Sequence, residues 1–263
     1  MTALITGASS GIGAEFARQL AARGYNLILV ARRKERLEEL AGELAAAHGI
    51  RAETLAADLT VDEELRSVEE RIAQEGGLDL LVNNAGFGVL GLFWQTDLEA
   101  QERLHRLHVM ATMRLTHAAL RVMTAQNSGA IITVSSVAAF MPAAVSSTYG
   151  STKTWINAFT EGLYLELKSQ GSAVKMQALC PGFTYSEFHD VARMDRGAIP
   201  GPLWLRAEDV VAASLQGLDR GRLFVVPDWR YKLIARLVPA LPRFIRNPMI
   251  LKFSARRART ANH

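Results

Sequence analysis

The amino-terminal stretch Thr2-Ala-Leu-Ile-Thr-Gly-Ala-Ser-Ser-Gly-Ile-Gly-Ala-Glu-Phe16 decides the fold. Residues 2–6 form an apolar run without alternation, the pattern of a short strand buried on both faces. Ile12, Phe16 and Leu20 then recur at i, i+4 and i+8, which is helical spacing. Gly7, Gly11 and Gly13 fill the turn between the two elements. Glycine lets a backbone turn sharply and approach a pyrophosphate with no Cβ in the way. The helix that follows offers unpaired N–H groups and a partial positive charge to an anion. Gly7, Ser9, Ser10, Gly11, Ile12 and Gly13 are therefore a candidate dinucleotide-phosphate loop. Their spacing, GxxxGxG, differs from the GxGxxG dinucleotide fingerprint, and a purely structural turn remains the rival reading.

Further along, short apolar runs alternate with longer amphipathic ones. Residues 26–31, 78–83, 130–135, 175–180 and 223–226 read as strands, with 51–56 a weaker candidate. Helical patterns lie between them, including the segment 33–47, which is rich in Glu, Leu and Ala. Strands separated by helices argue for a doubly wound α/β fold, a mostly parallel sheet with helices on both faces. No repeat, long linker or low-complexity segment interrupts it. The expected organisation is one Rossmann-like dinucleotide-binding and catalytic domain over residues 1–228. A basic, apolar carboxy-terminal extension over 229–263 is expected to be helical.

Of the 263 residues, 49% are hydrophobic and 21% charged, enough apolar material for a sizeable core. The single cysteine, Cys180, rules out an internal disulfide and sits in an apolar run, so it reads as a small buried hydrophobe. From Arg230 onward there are nine Lys/Arg and no Asp/Glu, while the rest of the chain carries 21 basic and 26 acidic groups. The basic balance thus belongs to the extension, and the body is net acidic. That distribution argues against a nucleic-acid partner. The amino terminus shows no basic, apolar leader, and no window reaches the roughly 20 apolar residues of a spanning helix. A cytoplasmic protein without a metal site is expected.

Two further patterns bear on chemistry. The second strand ends in Ala31-Arg32-Arg33, where an acidic residue would suit the ribose hydroxyls of NAD. Arg32 and Arg33 suit the 2′-phosphate of NADP instead, since guanidinium groups bind phosphate in bidentate fashion. Their alternative role is a solvated first turn of the next helix. Tyr149 and Lys153, in Ser-Thr-Tyr-Gly-Ser-Thr-Lys-Thr-Trp155, stand four residues apart on one helical face. A phenol beside an ammonium can act as an acid, and such pairs also occur on ordinary surfaces.

With Thr6–Gly13, Asn83-Asn-Ala-Gly86, Ser136, Tyr149-Gly-Ser-Thr-Lys153 and Pro181-Gly182 in this order, the chain resembles the short-chain dehydrogenase/reductase family. The resemblance implies a Rossmann-like fold and catalysis by Ser136, Tyr149 and Lys153. Tyr149 would be the acid/base and Ser136, in preference to its neighbour Ser135, would hold the substrate oxygen. Lys153 would favour the phenolate and also bond the nicotinamide ribose. Asp58 and Leu59 match the region beside the adenine, with helix capping the alternative for Asp58. Asn84, Ala85 and Gly86 match the loop at the adenosine ribose. Pro181, Gly182 and Phe183 match the loop against the nicotinamide, and Ser186 the threonine often found near the carboxamide or phosphates. One position departs: His108 stands where the family commonly has a proton-relay asparagine. His108 either substitutes in that relay or is an ordinary partly buried histidine.

NADP (NADPH) is the expected cofactor, ahead of NAD. Phe87, Val89, Leu92, Phe93 and Trp94 on one side, and 183–194 with 199–204 on the other, suggest an apolar cleft with a mobile lid. They fit a hydrophobic ketone or alcohol as the small-molecule substrate, with core packing the alternative. The extension could lie on a membrane surface as a peripheral contact, or cover the domain or a partner subunit. Trp155, Ile156, Phe159, Leu163 and Leu167 offer a face for the homo-dimer or homo-tetramer that the family resemblance implies. An NADPH-dependent carbonyl reductase is the leading reading. The alternative is an NADP-binding regulatory or scaffold protein that kept the fold without the chemistry.

Overall fold

The computed structural model describes residues 1–74, 77–188, 197 and 199–258, with side chains described through residue 252. Seven strands, β1 (Thr2–Thr6), β2 (Asn26–Ala31), β3 (Ala52–Ala56), β4 (Leu80–Asn83), β5 (Ala130–Val134), β6 (Lys175–Leu179) and β7 (Phe224–Val225), form one sheet. Its order is β3-β2-β1-β4-β5-β6-β7, and every pairing is parallel. The strand order reverses between β1 and β4, which opens a crevice at the carboxyl ends of those strands.

Helices α1 (Gly11–Ala22), α2 (Lys34–His48), α3 (Asp62–Ala73), α4 (Leu98–His105), α5 (Thr112–Ala125), α6 (Ser147–Ser169) and α7 (Ala207–Asp219) connect or flank the strands. Helices α8 (Trp229–Leu237) and α9 (Arg243–Ala258) follow the last strand. Strands alternate between two cores. Ala3, Ile5, Leu27 and Leu29 pack with Phe16, Leu20, Leu37, Leu44 and Val211 on one face. Leu4, Ile28 and Val30 pack with Leu65, Val68, Leu115, Met123 and Leu167 on the other. Strands covered on both sides read as continuous apolar runs. The edge strand β3 is the exception: it carries no fully buried residue, which is why its sequence signal is weak.

Between α4 and α5 the chain makes a π-helical turn, Arg106–Ala111. Such a turn re-aims one residue within an otherwise continuous helix, and here it carries the buried His108. On α6, Ile156 and Leu167 are buried while Trp155, Phe159 and Leu163 are only partly so, and Trp155 stacks on Phe159 with ring centroids 4.6 Å apart. Cys180 is buried as expected, and burial pushes its thiol up to about 12. Among the described residues no helix is long and apolar enough to cross a membrane. None of their His, Cys, Asp and Glu side chains cluster to hold a metal ion. The expected lid residues 189–194 and the last five of the extension, 259–263, lie outside the described residues.

Candidate active site

The loops at the carboxyl ends of β1, β4, β5 and β6 converge on the crevice. Gly7 and Gly11 have φ of 67° and 55°, the left-handed region that glycine enters without strain. The glycine turn is fastened to β4 by a local network. Asn84 Nδ2 donates to the carbonyls of Thr6 (2.8 Å) and Gly7 (3.3 Å). Thr6 Oγ1 accepts from the backbone N–H groups of Asn84 (2.9 Å) and Ala85 (3.0 Å). A Cβ on Gly13 would stand 2.2 Å from the Gly7 carbonyl oxygen, so glycine is forced there by the turn's own packing. The Asn84 side chain is thus committed to holding the loop's shape.

The helix behind this turn fits an anionic cofactor group. The α1 N-cap, Ser10, makes no side-chain cap, and the first turn contains no acidic residue. Its amides are therefore available to a phosphate. The two arginines after β2 diverge. Arg33 Nε and Nη2 donate to Ser9 Oγ (3.3 and 2.9 Å), and Nη2 also donates to Ser10 Oγ (3.0 Å). Arg32 turns the other way, 3.9 Å from the Asp58 carboxylate. Asp58 accepts from the backbone and hydroxyl of Thr60 and pairs with Arg103 at 3.5 Å. Partial burial pushes its carboxyl up, but the Thr60 bonds and the two arginines outweigh that and hold it below its ordinary value. It does not cap α3, whose N-cap is Val61. Leu59 is buried with Leu65 and Val68, so its side chain serves the core.

The catalytic candidates gather beside β5. Lys153 is buried, and its ammonium donates to the Val134 carbonyl (2.8 Å) at the end of that strand. It lies 5.6 Å from the centroid of the Tyr149 ring. Burial lowers its pKa to about 7. The two serines after β5 differ in their packing. Ser135 is buried and donates to the Lys153 carbonyl (3.1 Å), while Ser136 is only half-buried and caps the following 3-10 turn, Val137–Phe140, by accepting from Ala138 N–H (3.1 Å). That turn packs along α6, where Thr154 Oγ1 donates to the Ala139 carbonyl.

His108 stands directly behind the tyrosine, their rings edge to face with centroids 5.7 Å apart. Its Nε2 lies 3.3 Å from the Phe87 backbone N–H, a donor, and must therefore accept. Its Nδ1 lies 3.0 Å from Thr152 Oγ1, whose own proton goes to the Tyr149 carbonyl (2.8 Å). The imidazole is thus neutral with the proton on Nδ1. Burial first, then the Lys153 charge, keeps its pKa well below the ordinary value. A Cβ on Gly86 would lie 2.7 Å from Nε2, so the exposed glycine after β4 gives the imidazole its room.

After β6 the chain crosses the crevice. Pro181–Phe183 is followed by Ser186, whose Cβ would stand 2.9 Å from a Cβ on Gly11. Glu187 and Phe188 come next, and the Phe188 ring lies 5.6 Å from that of Tyr149. Three participants escape a reading of the sequence. Arg36 donates to Glu187 Oε1 (2.6 Å); its i, i+3 spacing from Arg33 on one helix face was the available signal. Glu187 itself gave no local signal. Tyr231 on α8 accepts from Phe183 N–H (3.2 Å) and donates to the Leu203 carbonyl (2.7 Å). On the substrate side Phe87, Val89 and Leu92 are half-buried, whereas Phe93 and Trp94 are exposed. Past β6, Trp204 stacks on Tyr185 (4.9 Å) and tilts against Phe183 (5.9 Å).

Residues 1–197 match the family model for short chain dehydrogenases. The chain is 36% identical to a very-long-chain 3-oxoacyl-CoA reductase of Neurospora crassa over 66% of this chain, and it spans 54% of that relative's length. A short-chain dehydrogenase from Sphingobium yanoikuyae, solved in complex with NADPH, is 38% identical and superimposes with a TM-score of 0.83, covering 88% of this chain and 89% of that one. The bulky-bulky ketone specific alcohol dehydrogenase from Comamonas testosteroni is 35% identical, with a TM-score of 0.78 over 86% of this chain and 85% of its own.

Proposed function

The chain belongs to the short-chain dehydrogenase family of oxidoreductases, and from that premise we propose that it reduces hydrophobic ketones with NADPH, reversibly. The observation that carries the proposal is the buried Lys153 ammonium held 5.6 Å from the Tyr149 ring, one strand-end away from Ser136. Gly7–Gly13, the α1 amides, Ser9, Ser10, Arg33 and Arg36 would hold the dinucleotide and its 2′-phosphate. Bound NADPH supplies the hydride that the protein itself lacks.

The protein's part is the proton. Ser136 Oγ donates to the carbonyl oxygen and holds it facing the phenol. Tyr149 gives its hydroxyl proton to that oxygen as the carbon is reduced, and in the reverse direction its phenolate takes the alcohol's proton. An ordinary tyrosine, with a pKa near ~10, is a weak acid/base at neutral pH, and a neighbouring ammonium favours its anion. Lys153 supplies that charge, with the Val134 carbonyl fixing its position. His108, neutral and bonded at both nitrogens, buttresses the tyrosine from behind.

Substrate class follows from the walls. Phe87, Val89, Leu92, Phe93 and Trp94 after β4, and the Phe183, Tyr185 and Trp204 ring cluster after β6, would favour bulky apolar groups over charged ones. The names of the similar proteins, a bulky ketone alcohol dehydrogenase and an acyl-CoA reductase, point the same way. NADPH oxidation measured at 340 nm across a panel of bulky aliphatic, aromatic and steroid-like ketones tests this. Turnover is expected in the wild type, with Tyr149→Phe lower by at least ~100-fold. Tight NADPH binding without turnover on any ketone would favour the regulatory alternative.

A further inference from the structure

Arg33 and Arg36 already hold an anion. Glu187 accepts one charge-assisted bond per carboxylate oxygen: Oε2 from Arg33 Nη1 at 2.7 Å and Oε1 from Arg36 Nη1 at 2.6 Å. The remaining donor edge of Arg33 is spent on Ser9 and Ser10 in the glycine turn. Glu187 is therefore seated among the donors that a 2′-phosphate would need, since a phosphate monoester also seeks paired guanidinium groups and hydroxyls.

We propose that Glu187 is a built-in competitor for the 2′-phosphate of the cofactor and so sets how strongly the enzyme prefers NADPH to NADH. The proposal rests on the reading of Arg33 and its neighbours as the NADP site.

The charges make the competition explicit. Two guanidinium groups and one carboxylate leave one positive charge at the cradle. A phosphate dianion arriving with Glu187 in place would put two anionic groups side by side. With Glu187 displaced, the dianion is neutralised by the two arginines. NADH carries only a hydroxyl at that position and has no anion with which to displace the carboxylate. Protonation does not release Glu187 in the ordinary pH range, because the Arg36 and Arg33 bonds lower its pKa to about 2. Only another anion can.

Glu187 is also placed to report what happens. Ser186 before it packs over Gly11, and Phe188 after it lies against the Tyr149 ring. Moving the carboxylate away from the arginines moves a segment that touches both the phosphate turn and the catalytic phenol.

The test is direct binding, with no substrate and no turnover. Adenosine 2′,5′-bisphosphate and 5′-AMP are titrated calorimetrically into the wild type, Glu187→Gln and Glu187→Ala. The Glu187 side chain is 41% exposed and its partners 42% and 50%, so removing the pair leaves the fold standing, which a thermal melt checks. Both variants are expected to bind the bisphosphate roughly three- to tenfold more tightly, with 5′-AMP unchanged within about twofold, the range an exposed charge pair supports. Hydrogen exchange across residues 184–188 should rise when the bisphosphate binds the wild type and stay as it is with 5′-AMP. Equal or weaker bisphosphate binding in both variants overturns the proposal and leaves the cofactor reading intact. Failure of the wild type and both variants to distinguish bisphosphate from 5′-AMP overturns the two together.

Discussion

His108 illustrates how much one residue's identity depends on what faces it. Its two nitrogens are spoken for by a backbone N–H and a hydroxyl whose proton is used elsewhere, so the imidazole is neutral and fixed. Asparagine also presents an acceptor and a donor, though neither reaches as far as Nε2, and His108→Asn is expected to keep at least about a tenth of wild-type turnover. A steady-state assay that finds less gives the histidine a dedicated role. The same geometry has a pH consequence. The folded-state pKa is depressed well below 6.5, so below about pH 6.5 the unfolded chain takes up a proton that the folded one refuses. Stability from this group is complete above that pH and is lost as pH falls, by at most about 1.4 kcal/mol per pH unit. Urea denaturation between pH 7 and 5 should therefore show a shallower decline in His108→Asn than in the wild type. The sequence revealed that an unusual residue stood here. It could not reveal that the Phe87 amide and Thr152 hydroxyl would dictate its tautomer.

At the level of elements, α8 is the instructive case. Its apolar and basic composition leaves open whether it covers the domain, a partner subunit or a membrane, and its Tyr231 is buried and bonded to the Phe183 amide and Leu203 carbonyl. The ring occupies the space over Gly182, where a Cβ would come within 2.1 Å of it. This helix therefore braces the loop expected to lie against the nicotinamide. Tyr231→Phe keeps the ring and strands the Phe183 amide, at a cost of about 1–3 kcal/mol. Urea unfolding should show that loss together with a raised KM for the dinucleotide, and an unchanged KM would separate the brace from cofactor binding. A second device lies before α6, where Val145 adopts φ of 62° and its carbonyl accepts from Gly91 N–H. That bond ties the loop bearing Phe93 and Trp94 to the tyrosine helix. Strand, helix and glycine turn were all legible from periodicity, because those signals repeat within a few residues.

For the molecule as a whole, the uneven charge finds a surface. Trp229, Leu233 and Leu237 form an exposed i, i+4, i+8 stripe on α8, beside Lys232 and Arg236. Phe244 and Leu251 are exposed on α9, and the chain from Arg230 onward holds no acidic residue. We propose that this face meets an anionic membrane surface peripherally, which would suit an enzyme for apolar substrates. Each basic residue near such a surface contributes about 1 kcal/mol, and the attraction falls off within a Debye length. Co-sedimentation with vesicles containing anionic phospholipid should be salt-sensitive, absent with neutral vesicles and weakened by Leu233→Glu. Equal binding to both vesicle types would remove the electrostatic basis, and no binding would leave the stripe to a protein partner.

The sequence by itself determined the parallel sheet, the glycine turn and the tyrosine–lysine pair, because each is written in neighbours a turn or a strand apart. Only the tertiary structure decided which side chains meet across the crevice. Glu187 pairs with Arg33 from 154 residues away and Tyr231 reaches the Phe183 amide from 48. The reason is physical: local patterns fix dihedrals and faces, while such pairings exist only once the strand order has brought distant loops to the same end of one sheet.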